Sequence, residues 1–399
     1  MWTSENSMKI CHIIGIFSPE HGGPVVSCRN YCMAQLERGL DVSLFTLEGY
    51  RKTSPAVRLP AGISQRIERV DQPEKLGSST RLRKAIFSNK AYDVYHLHGI
   101  WLKSMYYGYQ HAVTHKRPYL VEINGALDPL ELATKSWRKR FIRLWYQNRI
   151  LREASCLHVN SLREAEHVRA LGFSAPIAII PAGFNVSEAE SISEKAKRDF
   201  PAWSEALKGK RILLYLARIH PAKGVDDLLR AWEKIADKFS DWALLLIGPG
   251  EHKELTKWTA TNANDASKRV YWVGMVPEVE KVWAFSKAEV YVLPSHKENF
   301  GNTVQEALGH GTPVITTKKT PWLDLPDWGC GWVCDDNSCD LTETLEDALS
   351  KSSEQLKAMG KIGRNIVVEK FSLEKAVADQ ISVYKWLHGD VCPPHILKS

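Results

Sequence analysis

Short runs of β-branched and aliphatic residues alternate along the chain with longer stretches in which apolar positions recur at helical spacing. The first run, 9–17, leads through Gly22-Gly23-Pro24 into a helix expected over 24–38. Further strand-like runs occupy 41–47, 94–97, 118–123, 156–160 and 177–180, with helical patterns at 79–90, 101–115, 129–153 and 161–171. Strands this short and this continuously apolar, separated by helices, predict parallel βαβ units covered on both faces. The strand signal lapses between 181 and 210, where 186–198 is polar and charged. It resumes with strands at 211–217, 242–247, 270–273, 290–293 and 313–316. Helices are expected at 224–238, 251–264, 277–286, 302–310 and 340–352, and a helical tail over 354–387. The pattern reads as α/β, with two consecutive Rossmann-like modules at 1–183 and 184–370.

Composition narrows the function classes. Hydrophobic residues at 44% and charged residues at 25% are ordinary globular usage, which excludes a disordered or collagenous chain. The length of 399 residues suits two or three domains. A net charge of +7 is compatible with phosphate-bearing partners without requiring them, and nothing in the pattern points to nucleic acid. No apolar run approaches the roughly 20 residues of a spanning helix. The stretch 10–17 is too short and too interrupted to read as a signal peptide. Eight cysteines form no C-x-x-C pair and no zinc-like arrangement, so reduced thiols and a cytoplasmic location are expected.

Candidate chemistry collects in four loops, each at the carboxyl end of an expected strand, where open α/β sheets bind ligands. The first contains Gly22 and Gly23, which permit close backbone approach, though an ordinary βα turn would read the same. In the second, Arg218 and Lys223 flank a helix start, where the dipole disfavours cations unless an anion lies between them. Neutralisation by Asp226 and Asp227 is the alternative. The third runs from Ser295 to Leu308: Glu298 lies in the loop, and 301–304 carry the open amides of a first helical turn. Thr303 and Glu306 also fit a capping box, which would explain Glu306 without a ligand. In the fourth, His96 and His98 share one face of a strand, as packed residues or as metal ligands lacking a third partner. Together, glycine amides, cations and carboxylates at strand ends suit a diphosphate-bearing substrate with sugar hydroxyls.

Glu298 followed by Glu306 resembles the E-x7-E pattern of family GT4, the retaining glycosyl transferases group 1. Arg218…Lys223-Gly224, the Gly22-Gly23 loop and His96-Leu97-His98-Gly99 extend the resemblance over about 9–388. It implies a GT-B fold, two facing Rossmann-like domains with a C-terminal segment, 371–399, whose helix returns to the first domain. By this resemblance the second domain takes the nucleotide-sugar donor, and the first takes a glycan or lipid-linked acceptor. Glu306 would hold ribose hydroxyls, Arg218 and Lys223 the diphosphate, and Glu298 with the amides of Phe300, Gly301, Asn302 and Thr303 the sugar. Gly22 and Gly23 would bring amides to the diphosphate, His98 would lie near the reacting carbon, and Gly274-Met275-Val276 would contact the base. Relatives with the same His-Gly-Ile-Trp element place His or Arg before the glycine at a position the resemblance implies as an acceptor or donor contact; this chain departs from them there, with Asn124 before Gly125. The resemblance also implies synthesis of a surface polysaccharide or lipopolysaccharide.

No strand ends in a D-x-D, and Asp226-Asp227 and Asp335-Asp336 read as helix-start and loop acids, so no metal and no other cofactor is expected. Residues 135–152 carry seven Lys/Arg and no acid, with Trp137, Phe141, Trp145 and Leu151 near helical spacing. Such a helix either lies peripherally on an anionic membrane or packs its aromatics against the first sheet. A nucleotide-sugar epimerase of the same architecture and a non-catalytic nucleotide-binding membrane scaffold are the competing functions. The two carboxylates with Arg218 and Lys223 argue against both.

Overall fold

The computed structural model describes residues 7–50, 53–72, 74–133, 136–251, 269–335 and 338–398, with side chains 136–138 and 338–339 excepted. The chain divides into two compact units, Met1–Gly183 with Leu373–Ser399, and Phe184–Ser372.

The first unit is built on β1 (Lys9–Ile16), β2 (Asp41–Glu48), β3 (Ser64–Arg69), β4 (Val94–His98), β5 (Tyr119–Glu122), β6 (Cys156–Val159) and β7 (Ile177–Ile179). These pair in the parallel order β7-β6-β5-β4-β1-β2-β3. The strands β1, β2, β4, β5 and β6 are almost wholly buried, as their predominantly apolar runs require, because helices cover both faces. The edge strand β3 escaped the sequence reading: Ser64–Arg69 alternates half-exposed polar residues and holds one isoleucine.

The second unit holds β8 (Arg211–Leu216), β9 (Trp242–Ile247), β10 (Val270–Trp272), β11 (Val290–Leu293), β12 (Val314–Thr317) and β13 (Gly331–Cys334), in the parallel order β10-β9-β8-β11-β12-β13. The expected helix at 251–264 falls, beyond residue 251, outside the described residues.

The helical tail is two helices, Ser353–Lys370 and Leu373–Trp386. The second belongs to the first unit, where Leu373, Ala376, Val377, Val383 and Tyr384 pack with Ile10, Val94 and Leu120 in one core. Each fully buried side chain of this kind contributes roughly 1.5–3 kcal/mol. A last short strand, β14 (Ile396–Leu397), pairs antiparallel with β7. The helix expected over 129–153 is broken into Pro129–Ala133, Ser136–Ile142, a π-turn at Arg143–Gln147, and Asn148–Arg152.

Candidate active site

In the second unit β8 and β11 are neighbours although β9 and β10 intervene in sequence, so their loops leave the sheet where strand order reverses. The β8 loop closes in a single 3-10 turn, Pro221–Lys223, before the helix Val225–Ile235. Gly224 stands between them at φ 69°, and a Cβ there would lie 1.9 Å from the Pro294 carbonyl oxygen. Only glycine lets this loop lie against the end of β11. Lys223 Nζ thereby reaches Glu298 Oε2 at 2.5 Å, both side chains largely buried. Asp227 is engaged with His296 (2.8 Å) and Arg230, not with Arg218 or Lys223. Arg218 is exposed and makes no ion pair among the described residues.

The loop after β11 is fixed from beneath. Phe300 is buried against Trp322 and Phe371, and Trp322 Nε1 donates to the Phe300 carbonyl at 2.5 Å. Gly301 at φ 83° is the N-cap of the helix Asn302–Gly309, so the amides of 302 and 303 open its first turn. No capping box forms: Thr303 Oγ1 instead accepts from the Tyr291 hydroxyl at 2.7 Å. Glu306 faces Lys281, whose Nζ is 3.2 Å from Oε2 and which also pairs with Glu278 at 2.9 Å. Burial pushes the Glu306 carboxyl above its ordinary range, and Lys281 opposes the rise. Burial would lower the Lys281 ammonium, but Glu306 and Glu278 outweigh it and hold it above its usual value.

Lys281 escaped the sequence reading, as did Gly248-Pro249-Gly250, although these glycines directly follow a strand of six apolar residues. The Pro249 carbonyl accepts from Ile219 N at 2.8 Å, which steadies the β8 loop, and Gly248 N donates to the Gly274 carbonyl at 2.7 Å. Met275 projects beside Gly274 with 76% of its surface exposed, and Val276 follows it half-buried.

In the first unit Gly22, at φ 59°, is the N-cap of the helix Gly23–Glu37, with Pro24 in its first turn. His98 ends β4 and is buried, with Nδ1 on the Glu122 carboxylate and Nε2 2.8 Å from His12 Nδ1. Both ring nitrogens are thus engaged inside the unit. His96, two residues earlier on the same face, meets the Tyr384 hydroxyl at 2.8 Å and His158 at 3.2 Å. Burial, aided by His98, lowers the His12 imidazole to about 3, and burial also lowers His96 and His158. Burial would raise Glu122, but His98 and then His158 hold it below its ordinary value. Of these residues the sequence reading named only His96 and His98. The signal for His12, Glu122 and His158 was a polar residue inside an otherwise apolar strand.

Asn124 (φ 52°) and Gly125 (φ 74°) form the tight turn after β5. Asn160 donates to Asn124 Oδ1 at 3.1 Å, and Gly125 N donates to Glu164. Trp101 has φ 80°, and the π-turn secures it: its amide donates to Gln147 at 3.0 Å and its carbonyl accepts from Tyr146 at 2.6 Å. That irregular turn explains the interruption of the basic helix, because it directs Tyr146 and Gln147 inward. Phe141, Leu144 and Trp145 are 62%, 75% and 51% exposed, whereas Ile150 and Leu151 are buried. The packing alternative for Phe141 and Trp145 therefore fails; the side chain of Trp137 lies outside the described residues.

Comparison with known proteins gives two family matches, "Glycosyl transferases group 1" over 197–366 and "Glycosyl transferase 4-like domain" over 22–183. A phosphatidyl-myo-inositol mannosyltransferase of Mycobacterium leprae is 30% identical over 177 residues, 44% of this chain and 43% of that protein. The chain spans about half the length of the first such curated relatives it matches. Among solved structures, sucrose-phosphate synthase from Thermosynechococcus elongatus superposes with a TM-score of 0.73 at 20% identity, covering 96% of this chain and 99% of that one. HepE of Anabaena, solved with UDP and glucose, gives 0.70 at 16% identity over 96% of this chain and 100% of that one.

Proposed function

The chain belongs to the group 1 glycosyltransferases of family GT4, with the GT-B fold, and from that premise we propose that it moves a sugar from a nucleoside-diphosphate donor to a glycan or lipid-linked acceptor, with retention and without a metal ion. The observation that carries this reading is the Lys223–Glu298 pair at the ends of β8 and β11, with the exposed Arg218 in the same loop as Lys223 and the open amides of 302 and 303 at the start of the helix that follows Glu298. Arg218 and Lys223 meet the diphosphate and balance the charge that develops on the leaving group, which is the electrostatic work a metal would otherwise do. Glu298 orients the sugar hydroxyls, and Glu306 accepts from the ribose. The exposed Gly274-Met275-Val276 segment lies against the base. Gly22 and Gly23 bring backbone amides to the diphosphate, and the turn of Asn124 and Gly125 supplies polar backbone for a contact to the acceptor or the donor.

The exposed Phe141, Leu144 and Trp145, set among Arg140, Arg143 and Arg149, suit attachment to an anionic membrane surface, which fits a lipid-linked acceptor in surface polysaccharide or lipopolysaccharide synthesis. No helix among the described residues is long and apolar enough to cross a membrane. A thermal-shift screen with UDP, GDP and ADP and their sugars, without added metal, tests the donor assignment. One nucleotide is expected to stabilise the protein, and Lys223→Ala to abolish that shift. If no nucleotide shifts the melting point, the donor reading fails.

A further inference from the structure

A row of polar side chains crosses the sheet of the first unit beneath its carboxyl edge. In register, His98 is paired with Glu122 and Glu122 with His158, while His12 is paired with His96. Strand alternation puts all five on one face, against Tyr31, Cys28 and Gln35 of the helix Gly23–Glu37 and Gln380 and Tyr384 of the helix Leu373–Trp386. All of these side chains are buried. Among the described residues the Tyr31 hydroxyl and Gln380 Nε2 find no hydrogen-bond partner, but every ring nitrogen of His12, His96, His98 and His158 faces one, and matching a donor to an acceptor at each of those contacts fixes where the ring protons lie.

The assignment starts from a group that can only accept. The Ile180 carbonyl is 2.9 Å from His158 Nε2, so that nitrogen carries the hydrogen and a neutral His158 has a bare Nδ1. His96 Nε2, 3.2 Å away, must donate to it, which leaves His96 Nδ1 bare to accept from the Tyr384 hydroxyl. Tyr384 has then used its only hydrogen. The Gln35 atom 3.3 Å from its oxygen is therefore the amide nitrogen, which also donates to Gln380 Oε1 at 2.8 Å. Gln35 Oε1 accordingly faces His12 Nε2 at 2.8 Å and accepts from it. A neutral His12 is left with a bare Nδ1, so His98 Nε2 must donate across the 2.8 Å between them. His98 Nδ1 already faces Glu122, whose carboxyl His98 and His158 hold below its ordinary value against burial, so it is ionised and accepts.

We propose that His98 is an imidazolium, hydrogen-bonded through both nitrogens, and that Gln35 and Tyr384 are the positioning residues that hold it so. The ring is a fixed positive charge one residue before Gly99, balanced by Glu122, and with no lone pair it serves no proton-accepting step. The state at the end of β4 is thereby tied to the seating of a helix that lies 275 residues further along the chain (from 98 to 373). It follows from the first unit alone and holds whichever substrate the chain takes. The ligand-capable atoms of His96, Glu122 and His158 lie within 4.8 Å of one another, but the lone pairs of both rings are spent inside the network.

Long-range 1H–15N correlation spectra of the intact, 15N-histidine-labelled chain at pH 7.5 test the assignment, with His98 identified by its loss in His98→Asn. Expected are two protonated nitrogens on His98 and the Nε2–H tautomer on His12, His96 and His158. In Gln35→Leu, His12 is free to protonate at Nδ1, so His98 is expected to become neutral while far-UV dichroism stays that of the folded chain. Tyr384→Phe, which frees the Gln35 amide to turn over, is expected to do the same. A neutral His98 in the unsubstituted chain overturns the proposal, as does an imidazolium that survives both substitutions in folded protein. Metal-shifted ring signals with stoichiometric bound zinc overturn it as well.

Discussion

Lys281 Nζ stands 3.2 Å from Glu306 Oε2, so the carboxylate proposed to hold ribose is already held by a lysine of the helix Glu278–Lys287, which leads into β11. Two carboxylates, Glu278 and Glu306, share this ammonium, and it orients the one carried by the helix Asn302–Gly309. Glu306→Gln is expected to weaken nucleotide binding by about 1.5–3 kcal/mol, the worth of hydrogen bonds to a charged group. Titration calorimetry on the folded variant reads it; an unchanged affinity would remove Glu306 from the donor site.

Lys281→Met gives a different signature. Glu306 loses the ammonium that opposes the effect of burial, so its carboxyl rises further and binds a proton at higher pH. Nucleotide affinity in this variant is expected to begin falling at a higher pH than in the unsubstituted chain as the solution is acidified, over the range in which the raised carboxyl takes up its proton, with a slope approaching about tenfold per unit. The same titration on the unsubstituted chain should be flatter over that range, and equal slopes would count against the pairing.

Lys223→Ala is expected to lower turnover by about 10²–10³-fold, the usual effect of deleting one preorganised group at a developing charge. Initial rates with a fixed acceptor check this. Turnover equal to that of the parent would mean that Lys223 serves only to neutralise Glu298.

The buried histidines make the first unit acid-sensitive. His12 is lowered from 6.5 to about 3, so between these values the unfolded chain takes up a proton that the folded chain refuses. Stability is then fully present above about pH 6.5 and declines as the pH falls toward 3, by up to about 1.4 kcal/mol per unit for this group. His96 and His158, also lowered, act in the same direction, and Glu122, held below its ordinary value, adds to the loss below pH 4.5. Urea denaturation between pH 7 and 5 should show a falling midpoint, with a shallower fall in His12→Gln.

Sedimentation with anionic liposomes tests the exposed aromatic surface. Binding at low salt is expected to weaken as salt rises and to vanish in Phe141→Asp/Trp145→Asp, because the apolar contact and the basic charges act together. Equal pelleting of the parent and this variant would remove the surface from consideration.

The parallel strands and most helices were legible because buried parallel strands are predominantly apolar and their helices keep a distinct period. The half-exposed alternation of β3 and the two-residue β14 carried too little of that signal. The loop chemistry was legible as a set of residues but not as a set of partners. Thr303 and Glu306 have capping-box spacing, yet Gly301 in a left-handed conformation took the cap position and Lys281 took the carboxylate. The histidine network was the least visible, since its bonds join residues up to 349 positions apart, as in Gln35 with Tyr384. Local periodicity says nothing about partners at that distance.

The passage of the chain out of the first unit at Gly183 and back at Leu373 has a consequence for synthesis. On the ribosome the first unit is started first and finished last. Until the stretch from Leu373 to Tyr384 has emerged, Ile10, Val94 and Leu120 lack part of their cover, Gln35 lacks Gln380, and His96 lacks Tyr384. The second unit, contiguous from Phe184 to Ser372, can close its own core earlier. The nascent chain therefore carries an open polar and apolar seam through most of its translation, and a premature stop after Ser372 would release it with that seam exposed.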